Sequence, residues 1–297
     1  MDFREVLLSD KEVMDKYFRA RYYENSHYSF TNVFMWRHHH NMKWAEEDGA
    51  LYIEQRRGGK LYAMQPITDE ANWEAATKKW LDYFAKVGEV PAFYAVEKDY
   101  ADFLRSFSAD FTITAERDLF DYVYLSEKLR TLAGRKLHSK KNHLNAFKKM
   151  YPEAEYLPIT AEIIPECRAG LNAWYEQREK EQGVDDMLAS EREAIIEIFD
   201  AYDKFALEGG AIRLGGQIIA FTLGEQINSD TAVIHVEKAN PDIRGAYPAI
   251  NQAFVEHAWQ NVAYINREED LGEEGLRKAK ESYKPEKMIE KYMVMKK

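Results

Sequence analysis

The feature that most constrains the fold is one order of predicted elements that occurs in both halves of the chain: helix, three strands, helix, strand, helix, strand. In the first half, Ser9 and Glu12 have the spacing of a capping box, and glycine-containing turns at 47–49 and 58–59 separate three short strands. In the second half, turns at 215–216 and 228–230 separate three longer strands. The pattern predicts an α+β fold with two similar domains.

The predicted domain boundaries follow from this repetition. We expect an N-terminal domain at residues 1–126, a basic linker helix at 127–152 and a C-terminal domain at 153–297. Each domain should be a mixed, mostly antiparallel sheet flanked by helices.

Composition excludes several other classes of protein. With 45% hydrophobic and 31% charged residues, the chain is neither disordered nor of low complexity. It has no apolar stretch near the roughly 20 residues that cross a bilayer and no apolar region after its charged N-terminus.

A single cysteine, Cys167, fits a reducing compartment and lies at an apolar helical position, which predicts a buried small residue. We therefore expect a cytoplasmic protein. Consecutive histidines at 38–40 fan out on a helix, so we expect no metal site.

Positive charge is concentrated in one segment. The net charge is −10, yet the segment 128–149 contains eight basic residues and no acidic one, which leaves the rest of the chain at −18. Such a segment is either an anion site within an acidic protein or a solvated helix face.

The C-terminal run resembles a family signature. It comprises Tyr264-Ile265-Asn266-Arg267-Glu268-Glu269-Asp270-Leu271-Gly272, the runs 275–280 and 282–285, and Lys291-Tyr292. This run, together with 134–138 and 141–143, resembles the C-terminal domain of the phosphatidylglycerol lysyltransferases. Within that family the chain is most similar to stand-alone members of unassigned function, and the element order resembles two tandem GNAT acyltransferase folds, as in Fem-type aminoacyltransferases.

This resemblance implies a transferase that moves an aminoacyl group from aminoacyl-tRNA, or an acyl group from a thioester such as acyl-CoA, to an amine or hydroxyl acceptor. The partners would be a small-molecule or aminoacyl substrate and the acceptor end of tRNA, without integral membrane association. The alternative is a non-catalytic protein that binds a small ligand on a degenerate GNAT scaffold, because the loop at Arg244 and Gly245 matches the pyrophosphate-binding pattern only in part.

The basic segment supplies the candidate anion-binding residues. Helical spacing places Arg135, His138 and Asn142 on one stripe and Lys136 and Lys140 on the next. Together with Arg244 and Gly245, these residues would bind the phosphates of the donor. Alternatively the helix only links the domains, with lysine stems packed over Leu137, Leu144 and Phe147.

The candidate catalytic and substrate-binding residues lie in the second half. Asn266, Glu268 and Asp270 alternate after a strand, so their side chains point the same way if the chain is extended, and they would orient, bind and deprotonate an amine. Strand residues His235 and Glu237 share a face, where Glu237 would polarise a water, although a satisfied sheet histidine is the commoner arrangement. Tyr283 would donate a proton to the leaving oxygen or sulfur, and Tyr292 is a second candidate donor and a substrate-binding residue, although most of the 19 tyrosines must serve packing. We also expect substrate contacts from Arg277 and Lys280. A solvated acidic loop is the alternative for 268–274.

Overall fold

The computed structural model describes residues 1–183 and 186–297 and divides into two compact units. The first unit comprises Met1–Asp121 together with Ile289–Lys297, and the second comprises Tyr122–Met288. The fold is α+β, and each unit has the mixed, mostly antiparallel sheet flanked by helices that the element order predicts.

The first unit follows the predicted order, with an extra edge strand and a second helix before the three-stranded meander. Its elements are β1 (Arg4–Glu5), α1 (Lys11–Ala20), α2 (Phe30–Trp36), β2 (Lys43–Glu47), β3 (Ala50–Arg57), β4 (Lys60–Ala63), α3 (Trp73–Val87), β5 (Ala92–Val96), α4 (Lys98–Phe107) and β6 (Phe111–Ala115).

The second unit has the same succession of elements, preceded by one strand and two short helices. Its elements are β7 (Asp121–Leu125), α5 (Ser126–Thr131), α6 (His138–Met150), β8 (Glu155–Pro158), α7 (Ile164–Gln182), α8 (Asp186–Asp200), β9 (Glu208–Leu214), β10 (Gln217–Gln226), β11 (Thr231–Ala239), α9 (Ala246–Ala258), β12 (Tyr264–Asn266), α10 (Glu274–Glu281) and β13 (Lys287–Ile289), after which β14 (Tyr292–Lys296) returns to the first unit.

The two sheets have equivalent strand orders. The first runs β1-β2-β3-β4-β5-β14-β6, and the second runs β8-β9-β10-β11-β12-β7-β13 when read from its opposite end. Each sheet contains one strand that the sequence assigned to the other half of the chain. β14 lies between β5 and β6 in the first sheet, and β7 lies between β12 and β13 in the second. Aromatic residues such as Trp80, Phe84 and Phe93 fill the first core, whereas Ile250, Phe254 and Ile265 belong to the second.

This arrangement differs from the expected boundaries at both ends of the second half. Sequence placed 119–125 in the first domain and a single strand at 288–295 in the second, but β7 belongs to the second sheet and β14 to the first. The basic segment is not one linker helix, because Leu132 (φ 47°) and Gly134 (φ 94°) interrupt it before a short 3₁₀ turn and α6. Leu137, Leu144 and Phe147 then pack into the core of the second unit.

A buried ion pair holds the returning strand in the first unit. Lys291, at the start of β14, places Nζ 2.7 Å from Oδ1 of Asp121, and both side chains are fully buried. Ser26 completes the cluster by donating its backbone N–H and its hydroxyl to the same carboxylate at 2.8 and 2.9 Å. Charges without access to water require such close partners, so this cluster fixes where β14 enters the sheet.

Candidate active site

The second sheet splays open between β11 and β12. These parallel strands share only three register pairs, from Thr231↔Tyr264 to Val233↔Asn266. Beyond that point, Arg267 N–H donates to the carbonyl of Tyr122 and Tyr122 N–H donates to that of Glu268, so the chain follows β7 instead. β11 continues to Ala239, paired with β10 on its other side. After Val233, the backbone edge of β11 that faces β12 therefore pairs with no strand in the described part of the second unit.

His235 joins the two sides of the splay. Its Nδ1 lies 2.8 Å from Glu268 Oε1, and its Nε2 lies 3.0 Å from Glu225 Oε1. Burial disfavours the charged imidazolium, but hydrogen bonds to the two carboxylates outweigh burial and raise the pKa of His235 to about 10. Glu268 itself adopts a left-handed backbone conformation with φ 57°. The histidine is therefore a charged link between β11 and the turn after β12. This agrees with the alternative given above, in which His235 is a sheet residue hydrogen-bonded within the protein.

Asp270 is held by a set of donors that makes it a poor base. Its buried carboxylate accepts two hydrogen bonds from Arg277, at 2.9 and 2.8 Å, and one at 2.5 Å from Tyr122 Oη. Burial alone would raise its pKa, but these bonds and one from the Gly272 N–H lower the pKa to about 2. The role of Asp270 as proton acceptor stays a prediction that this low pKa does not favour. Asp270 is fully buried and pairs with the partly exposed Arg277.

Lys280 and Asn266 also stabilise the turn after β12. Lys280 Nζ donates to the backbone carbonyls of Arg267 at 2.6 Å and Glu268 at 3.1 Å, and also to that of Glu269. Asn266 is fully buried, and its Oδ1 accepts the N–H of Glu268 at 2.8 Å. These contacts differ from the substrate-binding roles expected for both residues, because their polar atoms serve the protein's own backbone.

A cluster of polar and charged side chains lies beside the splay, where β11 faces α9. We call this cluster the Tyr283 chamber, and its members are Lys140, Glu237, Asn251, Arg267 and Tyr283. Glu237 on β11 accepts hydrogen bonds from Arg267 Nη2 and Asn251 Nδ2, both at 2.8 Å. The Tyr283 ring contacts two cations, with Arg267 Cζ 4.8 Å and Lys140 Nζ 4.4 Å from its centroid. The structure thus brings together the predicted residues Glu237, Tyr283 and Lys140.

Two members of this chamber were not among the sequence candidates. Arg267 lies within the C-terminal run, between two residues that were chosen, and Asn251 lies next to the apolar position Ile250 on α9. A buried asparagine beside a core position is a signal that sequence offers, because such a side chain needs a polar partner inside the fold.

The other anion-binding candidates lie on an exposed cationic surface. Arg135, Lys136, Lys141, Lys148 and Lys149 are exposed and form no ion pair within residues 1–183 and 186–297. By contrast, Lys128 and Arg130 pair with Glu286 and Glu256. His138 and Asn142 are also exposed and interact with each other, Nδ1 to Nδ2, at 3.4 Å. Lys140 differs from all of these because it is half-buried in the Tyr283 chamber.

The loop before α9 packs directly against α6. Gly245 has φ 88°, and a Cβ added there would lie 2.8 Å from the backbone oxygen of His143 and 2.9 Å from Cβ of Phe147. Only glycine fits this left-handed and crowded position. Arg244, the residue before it, is exposed and forms no ion pair in the described residues.

A separate cavity lies on the opposite face of the second sheet, under α7. Its volume is about 260 Å³, and its walls include Trp174, Phe221 and Lys238. Lys238 contacts the Trp174 ring at 4.2 Å and pairs with Glu191 at 2.7 Å. Because Glu237 and Lys238 are neighbours on β11 that face opposite sides of the sheet, the cavity and the Tyr283 chamber share this strand.

Tyr292 does not join this cluster. It lies on β14 in the core of the first unit, and its hydroxyl donates to Glu290 Oε2 at 2.5 Å. Its role as a substrate-binding residue or proton donor stays a prediction, and strand exchange assigns β14 to the first sheet.

The corresponding parallel pair of the first unit is filled by the chain itself. β4 and β5 share the single register pair Ala63↔Phe93, and the carbonyl of Ala95 beyond it accepts hydrogen bonds from Asn25 Nδ2 and Tyr28 Oη. Gln65 Oε1 accepts the backbone N–H of Glu97 at 2.9 Å. Side chains of the first unit thus bond to the strand backbone beyond the β4–β5 pair, whereas the equivalent backbone edge beyond the β11–β12 pair has no strand partner in the described residues.

No helix in the described residues is long and apolar enough to cross a bilayer. Those residues also contain no group of three or more His, Cys, Asp and Glu side chains arranged to hold a metal ion.

Topology and site together define an α+β protein of two similar sheet-containing units, with a splayed sheet in the second unit. The chain belongs to the family of phosphatidylglycerol lysyltransferase C-terminal domains, whose family model matches residues 19–295.

Two solved structures and one sequence relative are similar to this chain. A conserved protein of unknown function from Bacteroides thetaiotaomicron is 34% identical, with a TM-score of 0.93 and full coverage of both chains. L-PGS from Bacillus licheniformis shares the fold at 15% identity and a TM-score of 0.68, over 97% of this chain and 92% of that one. An uncharacterized protein of Mycoplasmoides gallisepticum is 29% identical over 182 residues, 59% of this chain and 55% of that relative, so the match spans about half of the relative's length.

Proposed function

We propose that the second unit transfers an aminoacyl group from aminoacyl-tRNA, or an acyl group from an acyl thioester, to an amine or hydroxyl acceptor. The observation that carries this proposal is the splay between β11 and β12, where an unpaired strand edge lies beside the Tyr283 chamber. The family supports the chemical class, because its description names lysyl transfer.

The unpaired edge of β11 suits a reacting carbonyl. Backbone N–H groups that lack a neighbouring strand donate hydrogen bonds to a ligand oxygen, and fixed donors of this kind stabilise the negative charge that develops during acyl transfer. The His235–Glu268 link and the Glu237–Arg267 pair both cross the splay and keep the strands at a constant separation. The site is therefore organised before substrate binds.

The Tyr283 chamber supplies the proton transfers. As the acceptor nitrogen or oxygen attacks the carbonyl carbon, a new bond forms, and the acceptor's proton passes to Glu237. The bond from the carbonyl carbon to the leaving oxygen or sulfur then breaks, and the Tyr283 hydroxyl donates a proton to that leaving atom. Glu237 returns its proton to the tyrosinate through solvent, so charge and protons balance over the cycle.

The exposed cations of α6 and of the short turn before it provide the binding surface for the donor. Five basic side chains there have no ion-pair partners in the described residues, and Arg244 in the loop before α9 adds a sixth exposed cation to an otherwise acidic chain. Phosphates of a tRNA acceptor end or of acyl-CoA would displace counterions there, which makes donor binding dependent on salt.

The experiment uses hydroxylamine as a general amine acceptor. Bulk tRNA charged with radiolabelled amino acids, and in parallel acetyl-CoA, is incubated with the full chain, and loss of label from the donor is counted. We expect accelerated hydroxamate formation, which Glu237→Gln reduces at least tenfold because one proton acceptor is lost. Tyr292→Phe is the matched control, since that hydroxyl lies in the first unit.

A second candidate is ligand binding without transfer. Its support is that Asp270 and Glu268 are both occupied by partners of the protein itself, and Glu237 is ion-paired. If calorimetry detects donor binding while hydroxamate formation equals the uncatalysed rate with every donor, the transferase proposal fails and this candidate replaces it.

A further inference from the structure

Positive charge exceeds negative charge in the Tyr283 chamber. Lys140 and Arg267 both contact the ring of Tyr283, and Glu237 pairs with Arg267 only. Lys140 forms no ion pair within the described residues. Two neighbouring cations with one carboxylate in a partly buried site repel each other, unless an anion joins them.

Several polar atoms of the chamber also lack partners. Arg267 Nη1 and Asn251 Oδ1 are buried and have no hydrogen-bond partner among the described residues. The Tyr283 hydroxyl likewise makes no hydrogen bond there, although 95% of this residue is buried. Since buried polar groups are nearly always paired in native proteins, such a concentration of unpaired atoms marks a place for a ligand.

We propose that the Tyr283 chamber binds a single oxyanion, a carboxylate or a phosphate. Lys140 and Arg267 supply charge, Arg267 Nη1 and the Tyr283 hydroxyl supply hydrogen-bond donors, and Asn251 Oδ1 accepts from a donor group on the same ligand. The proposal extends the proposed function by naming what a substrate carries near its reacting group. Only the statement that this anion is part of a substrate rests on the proposed function, and the anion site itself is argued from the contacts above.

The titration of Lys140 agrees with this geometry. Burial lowers the pKa of Lys140, and the nearby charge of Arg267 lowers it further, against a smaller opposing effect of Glu237. A bound anion would reverse this direction by favouring the ammonium form. The charged or titratable groups facing Lys140 in the chamber are Arg267, Glu237 and Tyr283.

Equilibrium dialysis with radiolabelled inorganic phosphate and, separately, radiolabelled acetate tests the site without any acyl donor. Lys140→Met should weaken binding of the preferred anion at least about tenfold, because a charge-assisted hydrogen bond in a partly buried site is worth about 1.5–3 kcal/mol. Lys128→Met is the matched control, because this exposed lysine is ion-paired with Glu286 and lies outside both the chamber and the set of unpaired cations, and it should change affinity less than twofold. The phosphate and acetate arms identify which oxyanion binds.

A second measurement keeps the test independent of folding. Tyr283→Phe retains the ring and should weaken anion binding several-fold while the circular dichroism spectrum is unchanged. Equal affinity of wild type, Lys140→Met and Tyr283→Phe for both anions would overturn the proposal, as would equal losses in Lys140→Met and Lys128→Met. Anion binding without hydroxamate formation would leave this site standing while the proposed transferase function fails.

Discussion

At the scale of single residues, partners decided which polar side chains remained available for chemistry. Glu268 and Asp270 belong to the same acidic run, yet one binds His235 and the other is held by Arg277 and Tyr122. Glu237, which appeared a weaker candidate in sequence, is the carboxylate that faces the Tyr283 chamber. A side chain's reactivity follows from the atoms around it more than from its place in a motif.

The charged His235 link predicts a pH dependence of stability. Its pKa is raised from 6.5 to about 10, so the folded state holds a proton that the unfolded state releases. The stabilisation is complete below about pH 6.5 and is lost as pH rises towards 10. Urea unfolding should show a falling midpoint across this window in the wild type.

The control for this prediction is His235→Gln, which cannot take up the proton. The difference in unfolding free energy between wild type and variant should shrink steadily from pH 6.5 to 10. A difference that is constant over this range would show that His235 is neutral in the folded protein.

At the scale of elements, close packing of α9 against α6 places the loop before α9 beside the basic surface. Gly245 makes this approach feasible, because its left-handed backbone and missing side chain leave room for the backbone of His143. The apolar residues predicted as a seam of α6 serve the core of the second unit rather than a linker.

Gly245→Ala should therefore destabilise the protein by about 1–3 kcal/mol, through backbone strain and the clash with the His143 oxygen. Gly275→Ala is the matched control, because a Cβ there meets nothing within 4 Å on a helix. That control should be neutral or stabilising by up to about 1 kcal/mol. Denaturant titrations measure both, and equal midpoints would contradict the proposed close contact.

At the scale of the whole molecule, exchange of β7 and β14 links each unit to chain segments distant in sequence. The Lys291–Asp121 pair is the contact that secures β14 in the first sheet. Because both charges are fully buried, loss of one partner leaves the other without water or a counter-ion.

Lys291→Met should cost about 3–5 kcal/mol, and hydrogen exchange should accelerate most in β5 and β6, the neighbours of β14. Lys296→Met, at an exposed position on the same strand, should change stability by less than about 0.5 kcal/mol. Adding Asp121→Asn should restore part of the loss, since it removes the stranded charge. Undiminished protection of β5 and β6 in Lys291→Met would refute this account.

Sequence by itself determined the α+β class, the repeated element order and the family. Helical and strand periodicities, turn glycines and the C-terminal run are local signals, and each is written within a few dozen consecutive residues. For the same reason the predicted turns at 215–216 and 228–230 agree with the observed ends of β10.

Only the tertiary structure decided the strand exchange and the composition of the site. β14 meets β5 across roughly 200 residues of chain, and Glu237 meets Arg267 across a splay that no local pattern encodes. Pairings of this kind depend on which buried donors and acceptors find each other once the cores have packed. That selection gave Asp270, Lys280 and Asn266 partners within the protein, brought Lys140 and Tyr283 together in the chamber, and placed Tyr292 in the first sheet.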